Sequence, residues 1–185
     1  MSTPDVETML AKQEITEVMY RYCRAMDRMD RKLAESIWHS DGTTKFEDAY
    51  TTGTDGETVH VGGFEGTAAG FLDYVWPWHE QGFLCHSHQV SNILIEVDGD
   101  SASSEAYMTA CLRSKPADEH GELIVRGRYL DRWSKREGRW AIDHRLYVGD
   151  MTETRTVAEP YIVGLLSRRD ADDPSYHMDR SSQLG

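Results

Sequence analysis

The chain has 185 residues, of which 39% are hydrophobic and 28% are charged, as expected for a single soluble globular domain. Its 32 acidic residues outnumber its 20 basic residues, and the formal net charge is −12. This charge argues against nucleic-acid phosphates or an anionic membrane surface as the main partner. No segment approaches the roughly 20 consecutive apolar residues of a membrane span.

The N-terminal residues and the cysteines indicate the cellular compartment in which the protein is expected. The stretch MSTPDVETMLAKQEI lacks the basic start and apolar run of a secretion signal. Cys23, Cys85 and Cys111 are odd in number and have no Cys-x-x-Cys spacing. Reduced thiols and a cytoplasmic location are the prediction.

The first half of the chain has the spacing of helices. A first helix is predicted from Asp5 to about Arg28, with Thr3 or Asp5 as its cap. Its apolar residues recur at intervals of three and four, at Ile15, Met19, Tyr22 and Met26.

Two further helices are predicted before residue 80. One spans Arg31–Trp38, with Asp30 as its cap and a turn at Ser40-Asp-Gly42 after it. The other spans Gly66–Trp76 and is expected to end at Pro77, which removes a backbone donor.

The second half of the chain has the composition of strands. Short strands are predicted at 43–46 and 60–64, and Asp98-Gly-Asp100 and Arg136-Glu-Gly138 are hairpin turns. The longer strand-like runs are Phe83–Val97, Ala102–Arg113, Glu122–Ser134 and Arg139–Asp150. Helices followed by an antiparallel meander predict an α+β fold with helices on one face of the sheet.

The end of the chain differs in composition from the rest. We predict one domain over residues 1–150 and a polar C-terminal extension over residues 151–185. The extension includes a possible helical patch at 159–166. It is expected to cover a pocket or a neighbouring subunit.

Candidate chemistry lies where the first helix ends and the first long strand begins. His86 and His88 are two residues apart, so both point to one face of a strand. Asp27 closely follows the apolar stripe of the first helix and can point inward, although an exposed helix-end acid is the alternative. An aspartate beside His88 would fix its tautomer and stabilise its charged form, so that the ring can accept a proton.

Metal binding is the rival explanation for His86 and His88. Zinc usually needs three or four protein ligands. No third ligand has characteristic spacing, because His79 precedes a predicted turn and His144 lies on a distant strand. The sequence also lacks a glycine-rich phosphate loop, a nucleophile elbow and a dinucleotide fingerprint. We therefore predict no metal and no cofactor.

Three motifs follow one another within residues 10–150: Tyr22-x4-Asp27-x10-Trp38, Trp76-Pro77 ahead of His88-x3-Asn92, and Gly138-Arg-Trp140-x4-Arg145. Together they resemble the SnoaL-like branch of the NTF2-like superfamily. That branch includes scytalone dehydratase, hexachlorocyclohexane dehydrochlorinase and bile acid 7α-dehydratase.

The resemblance implies a cone-like curved antiparallel sheet with N-terminal helices enclosing a pocket. It also implies catalysis by an Asp–His pair, and Asp27 and His88 match that pair. Arg145 falls where the dehydrochlorinase has an arginine that assists the leaving group, and Tyr22 matches a tyrosine of the bile acid dehydratase. Both are candidate catalytic donors.

The chain also departs from these relatives. Met26 precedes Asp27, where scytalone dehydratase has a tyrosine, and Tyr22 stands where the dehydrochlorinase has a lysine. The second acid or histidine that some dehydratases carry is absent near 109–113. The substrate of these relatives therefore cannot be transferred to this chain.

The resulting expectation is a cofactor-independent lyase. It would eliminate water, halide or formaldehyde from an apolar aromatic substrate, such as a lignin-derived diarylpropane, or from a polycyclic one. The alternatives are an isomerase or cyclase of the ketosteroid isomerase type and a non-catalytic small-molecule-binding module. The candidate substrate-binding residues are His86, Tyr107, Trp38, Trp76 and Tyr147.

A homo-oligomer, dimer or trimer, is also predicted. The expectation rests on the family and on an alternating apolar set that is taken as the outer sheet face: Leu123, Val125, Tyr129 and Trp133.

Overall fold

The computed structural model describes residues 5–52, 58–115, 121–156 and 167–178, with side chains except those of 48–52 and 58–61. Within these ranges the helices are α1 (Val6–Arg28), α2 (Arg31–Glu35) and α3 (Ala68–Gly82). The strands are β1 (Trp38–Thr52), β2 (Thr58–Thr67), β3 (Phe83–Asp98), β4 (Ser101–Ser114), β5 (Gly121–Arg136) and β6 (Arg139–Thr156). A short 3-10 helix covers Pro174–Tyr176.

The six strands form one curved sheet in the order β2-β1-β6-β5-β4-β3. β1 and β6 are parallel, and all other neighbouring pairs are antiparallel. The α1 helix packs across β3, the last strand in this order. The predicted α+β fold, with N-terminal helices on a mostly antiparallel sheet, is confirmed.

The first helix forms as predicted, and its two ends are fixed by local contacts. The Asp5 carboxylate accepts a hydrogen bond from the Thr8 backbone N–H, as an N-cap residue does. Met29 ends the helix in the left-handed conformation, at φ 53°, and Asp30 caps α2 through the Leu33 backbone N–H. The buried face of α1 is Ala11, Ile15, Met19, Tyr22, Cys23, Ala25 and Met26.

The predicted turn at Ser40-Asp-Gly42 is wrong. α2 ends at Glu35, and β1 begins at Trp38 and continues through these residues. The pairing of β1 with β6 shifts register between Trp38 and Thr43, so the segment forms a bulge in a strand. A Cβ atom on Gly42 would lie 2.9 Å from the Trp38 Cβ, so this glycine fits a close approach and not a chain reversal.

The predicted end of the third helix at Pro77 is also wrong. α3 continues to Gly82 with Pro77 inside it. Proline removes one helical hydrogen bond, but the buried face keeps helical spacing beyond it through Phe71, Val75 and His79. Burial of this face offsets the missing bond, and His79 consequently lies inside the molecule.

The four long strands are confirmed, and the two short ones are parts of β1 and β2. β6 runs six residues past its predicted end at Asp150, to Thr156. The helical patch expected at 159–166 lies outside the described residues. The division into a domain and an extension at residue 150 stays a prediction.

The face assigned to oligomer contacts is the inner face of the sheet. Tyr129 and Trp133 are buried in the core, and Leu123 and Val125 pack against it. Their alternation therefore reflects the core, and the homo-oligomer stays a prediction without that support. In the described part of the chain, no helix combines the length and apolar character needed to cross a membrane.

Candidate active site

The end of α1 and the middle of β3 bring a carboxylate and an imidazole together. The His88 Nδ1 atom lies 2.7 Å from the Asp27 Oδ1 atom. The His88 backbone N–H also donates to both Asp27 oxygens, at 3.0 and 3.1 Å. The His88 side chain is 7% exposed and the Asp27 side chain is 14% exposed. The predicted hydrogen bond between Asp27 and His88 is present, between two largely buried side chains, and the catalytic role of the pair stays a prediction.

This geometry assigns the tautomer of the His88 ring. A carboxylate accepts hydrogen bonds only, so Nδ1 carries the proton and Nε2 keeps its lone pair. Asp27 would also stabilise the positive charge that forms when Nε2 takes up a proton. This arrangement leaves the Nε2 atom of His88 as the ring nitrogen that can accept a proton.

The pair borders a groove of about 480 Å³ along the last turns of α1. Tyr20, Cys23, Arg24 and Arg28 also line this groove. Burial, followed by the charge of Asp27, raises the pKa of the Cys23 thiol to about 12. The thiol therefore stays protonated at neutral pH and is not a nucleophile there.

Two more histidines lie behind the pair. His86 is 7% exposed, and its Nδ1 atom lies 3.3 Å from the Met26 carbonyl oxygen. The His79 Nδ1 atom lies 3.2 Å from the His86 Nε2 atom. His86 is a predicted site residue, whereas His79 is considered from the sequence only as a metal ligand and is rejected because a turn is predicted after it. Its spacing of four from Val75, on the buried face of α3, is the signal that could have identified it.

The geometry of these rings does not suit a metal. Both ring nitrogens of His86 already have hydrogen-bond partners. Across the described ranges, no group of three or more His, Cys, Asp or Glu side chains could hold a metal ion. His144 lies elsewhere, on β6, with its Nδ1 atom 2.8 Å from the Thr43 hydroxyl. The absence of a bound metal stays a prediction.

Arg145 is placed deep in the core. It is fully buried and donates two hydrogen bonds to Asp131, at 2.8 and 2.7 Å. Its guanidinium lies 4.4 Å from the Tyr22 ring centroid and 4.0 Å from that of Tyr129. Its Nη1 atom has no hydrogen-bond partner within the part of the chain that the structure describes. Sequence reasoning missed its partner Asp131.

The predicted aromatic residues lie in three different environments. Trp38 is buried edge-on to the Tyr22 ring at 5.6 Å, and Tyr147 stacks on a core phenylalanine. Trp76 is half-buried on α3, with the Arg31 guanidinium 5.7 Å from its ring. Tyr107 is 47% exposed and lies between the buried residues Ala106 and Met108. Its side chain therefore points to the outer face, and the structure does not bring it to the Asp27–His88 pair.

We expect the buried histidines to make the protein sensitive to mild acid. Burial lowers the pKa of His86 to about 4 and that of His79 to about 2, and the Arg169 charge acts in the same direction on both. In the unfolded chain both titrate near their ordinary value of about 6.5. The unfolded state thus binds more protons below that pH, and the free energy of unfolding should fall as the pH decreases from 6.5 towards 4.

The expected loss between pH 7.5 and pH 5.0 is about 2 kcal/mol for each histidine, or about 4 kcal/mol for the two together. Urea unfolding at the two pH values measures it. A protein in which both His79 and His86 are replaced by asparagine should show a smaller difference. An equal difference in both proteins would assign the acid sensitivity to other groups.

Comparison with known proteins assigns the sequence to a family and shows which solved structures share its fold. The family model of the SnoaL-like domain matches residues 7–146. No curated protein matches the sequence. The solved structure of LinA is 16% identical, with a TM-score of 0.66, and covers 86% of this chain and 98% of its own.

Two further solved structures share the fold. A putative scytalone dehydratase from Novosphingobium aromaticivorans is 22% identical, with a TM-score of 0.60, and covers 79% of this chain and 88% of its own. A type 3 LinA hexachlorocyclohexane dehydrochlorinase from Novosphingobium barchaimii is 16% identical, with a TM-score of 0.63. It covers 87% of this chain and 99% of its own. At these identities the similarity establishes the fold alone, which is NTF2-like.

Proposed function

Because the chain belongs to the SnoaL-like family, we propose that it is a cofactor-independent lyase whose base is the Asp27–His88 pair. In this proposal the Nε2 atom of His88 removes a proton from an apolar substrate. A small group then leaves, and a carbon–carbon double bond remains. The observation that carries the proposal is the geometry of the pair.

Three properties of the pair support this role. Asp27 accepts from both the ring and the backbone N–H of His88, which holds the imidazole in one orientation. The carboxylate compensates the positive charge that forms on the ring. An imidazole titrates near neutral pH, where a general base is most effective.

The elimination needs no redox partner. The proton moves from substrate carbon to Nε2, and the electrons of the broken C–H bond form the new double bond. The leaving group departs with its own bonding pair as hydroxide, protonated to water, or as halide. Loss of formaldehyde instead begins with removal of a hydroxyl proton, and formaldehyde forms as the carbon–carbon bond breaks. The electrons of that bond form the double bond while a hydroxyl on the adjacent carbon leaves as hydroxide, protonated to water. These steps are within reach of one base and nearby hydrogen-bond donors.

Arg145 and Tyr22 are the proposed donors to the departing group. The Nη1 atom of Arg145, which has no hydrogen-bond partner among the described residues, supports this assignment, because a buried N–H without an acceptor is costly unless a ligand satisfies it. Tyr22 lies against the same guanidinium. Both are buried, so this role requires a substrate that enters between α1 and the sheet.

We propose an aromatic or polycyclic substrate, for example a lignin-derived diarylpropane. The aromatic side chains of the interior support this choice, since Trp38 and Tyr147 supply ring faces and edges for a flat apolar ligand. His86 and Trp76 remain proposed substrate neighbours. The structural relatives are named for removing hydrogen chloride and water, and their substrates are not assigned to this chain.

Mass spectrometry of the products tests the reaction class. The purified protein is incubated with candidate diarylpropanes and aromatic alcohols. We expect a product lighter than its substrate by one water, or by one formaldehyde and one water together, with new alkene absorbance. A product of unchanged mass would indicate an isomerase or cyclase. Saturable binding without any product would indicate a binding module and would contradict the lyase.

A further inference from the structure

His79 and His86 form a hydrogen-bonded chain that joins three elements behind the Asp27–His88 pair. The chain starts at His79 in α3, passes through His86 in β3 and ends at the Met26 carbonyl in α1. Both side chains are nearly inaccessible to solvent, at 4% and 7% exposure. The mechanism proposed above makes no chemical use of either ring.

The hydrogen bonds from His79 to His86 and from His86 to Met26 all donate in the same direction. The Met26 carbonyl can only accept, so the Nδ1 atom of His86 carries a proton. In the neutral ring Nε2 is then an acceptor, and the Nδ1–H group of His79 must be its donor. Both rings are therefore in the Nδ1–H tautomer, which is also the tautomer that Asp27 imposes on His88.

The surroundings keep both rings neutral. The charged and titratable groups that act on them are His88, Arg169 and, for His86, Asp27. Burial is the largest influence on each ring, and the positive charge of Arg169 further opposes protonation. A proton added to His86 at Nε2 would face the His79 N–H and break the chain.

The end point of the chain is next to the catalytic carboxylate. Met26 precedes Asp27 in the last turn of α1, and its carbonyl also accepts a hydrogen bond from the N–H of Met29, which ends the helix, at 3.3 Å. The last turn of α1 is thereby held to β3 at two neighbouring places: Met26 on His86 and Asp27 on His88.

We propose that His86 and His79 are positioning residues that hold the end of α1, and with it Asp27, in the register that His88 requires. The inference rests on the proposed function for its kinetic consequence only. Independently of any reaction, the inference requires that the His79 and His86 rings both carry their proton on Nδ1. It also requires that loss of His79 changes the Asp27–His88 hydrogen bond.

Arg169 contacts the His79 end of the hydrogen-bonded chain and lies outside the residues that the family model matches. It donates to the backbone carbonyls of His79, at 2.8 Å, and of Phe83. These two residues flank the junction of α3 and β3. Arg169 lies beyond residues 7–146, so this support belongs to the chain's own C-terminal segment.

The first arm of the test measures ring tautomers by ¹⁵N NMR of the histidine-labelled wild-type protein at pH 7. We expect neutral His79 and His86 rings, each protonated at Nδ1, and a downfield proton for the His88 Nδ1–H group. A His86 ring protonated at Nε2 would overturn the chain. This arm needs no substrate, so it stands or falls independently of the lyase proposal.

The second arm compares His79→Leu with His79→Asn. Leucine removes the donor, whereas an asparagine amide can donate from nearly the position of Nδ1. We expect His79→Leu to lower kcat by about 10- to 100-fold with little change in KM, since a 1 Å misplacement can cost 10²-fold. His79→Asn should recover most of this loss, and the His88 proton resonance should shift in His79→Leu only.

The two variants are matched in size, and circular dichroism checks that both fold. Equal kcat values in the two variants, with an unshifted His88 resonance, would overturn the positioning role. If no substrate is turned over by the wild type, the shift of the His88 resonance alone decides the inference, and the lyase proposal fails separately.

Discussion

Replacing His88 with alanine is expected to lower the turnover number by about 10²–10⁴-fold while leaving the fold intact, since this is the usual contribution of a general base. Asp27→Asn should cause a loss of similar order. Its amide would place an N–H group against the His88 Nδ1 atom or weaken the contact. The Nε2 atom would then no longer be held as the free acceptor.

A second histidine provides the matched control. His144 lies on β6, hydrogen-bonded to the Thr43 hydroxyl, and has no part in the proposed site. His144→Ala should therefore leave turnover close to that of the wild type. Progress curves of alkene formation for the three variants measure the effects. Wild-type turnover in His88→Ala would remove His88 from the mechanism.

The Asp27–His88 pair was predictable because its two signals are local. Asp27 directly follows the apolar stripe of a long helix, and the two-residue alternation of a strand places His86 and His88 on one face. The family motif supplied the remaining information, that these two elements meet.

His79 and Asp131 were missed for different physical reasons. Pro77 predicts the end of a helix, but burial of the α3 face outweighs the lost hydrogen bond, and His79 falls on that face. Asp131 reaches Arg145 only through the pairing of β5 with β6, where the two residues are directly opposite. Cross-strand partners depend on register, which the sequence does not specify by itself.

The face of the sheet on which Tyr107 lies could not be predicted from the sequence either. Its strand was predicted correctly, but which face looks inward depends on the packing of the neighbouring residues. Ala106 and Met108 fill the inner face, so Tyr107 is turned to the outside. Aromatic character alone could not distinguish a pocket residue from a surface residue.

Breaking the Arg145–Asp131 pair should strongly destabilise the protein whether or not Arg145 takes part in catalysis. Both side chains are fully buried. Burial opposes the charge of Arg145, but the Asp131 carboxylate more than offsets it and raises the pKa of the guanidinium. Arg145→Met removes the cation and leaves Asp131 buried and unpaired. We expect this change to lower the free energy of unfolding by about 3–5 kcal/mol.

Urea unfolding with a double variant measures the coupling between the two residues. Arg145→Met combined with Asp131→Leu removes both charges and should be more stable than Arg145→Met alone, because no uncompensated charge remains in the core. The exposed pair Arg21–Glu17 is the control, since solvent-exposed ion pairs contribute about 0–1 kcal/mol. Arg21→Gln should therefore change stability little. If Arg145→Met unfolds at the same urea concentration as the wild type but loses turnover, the arginine is maintained for the reaction and not for the core.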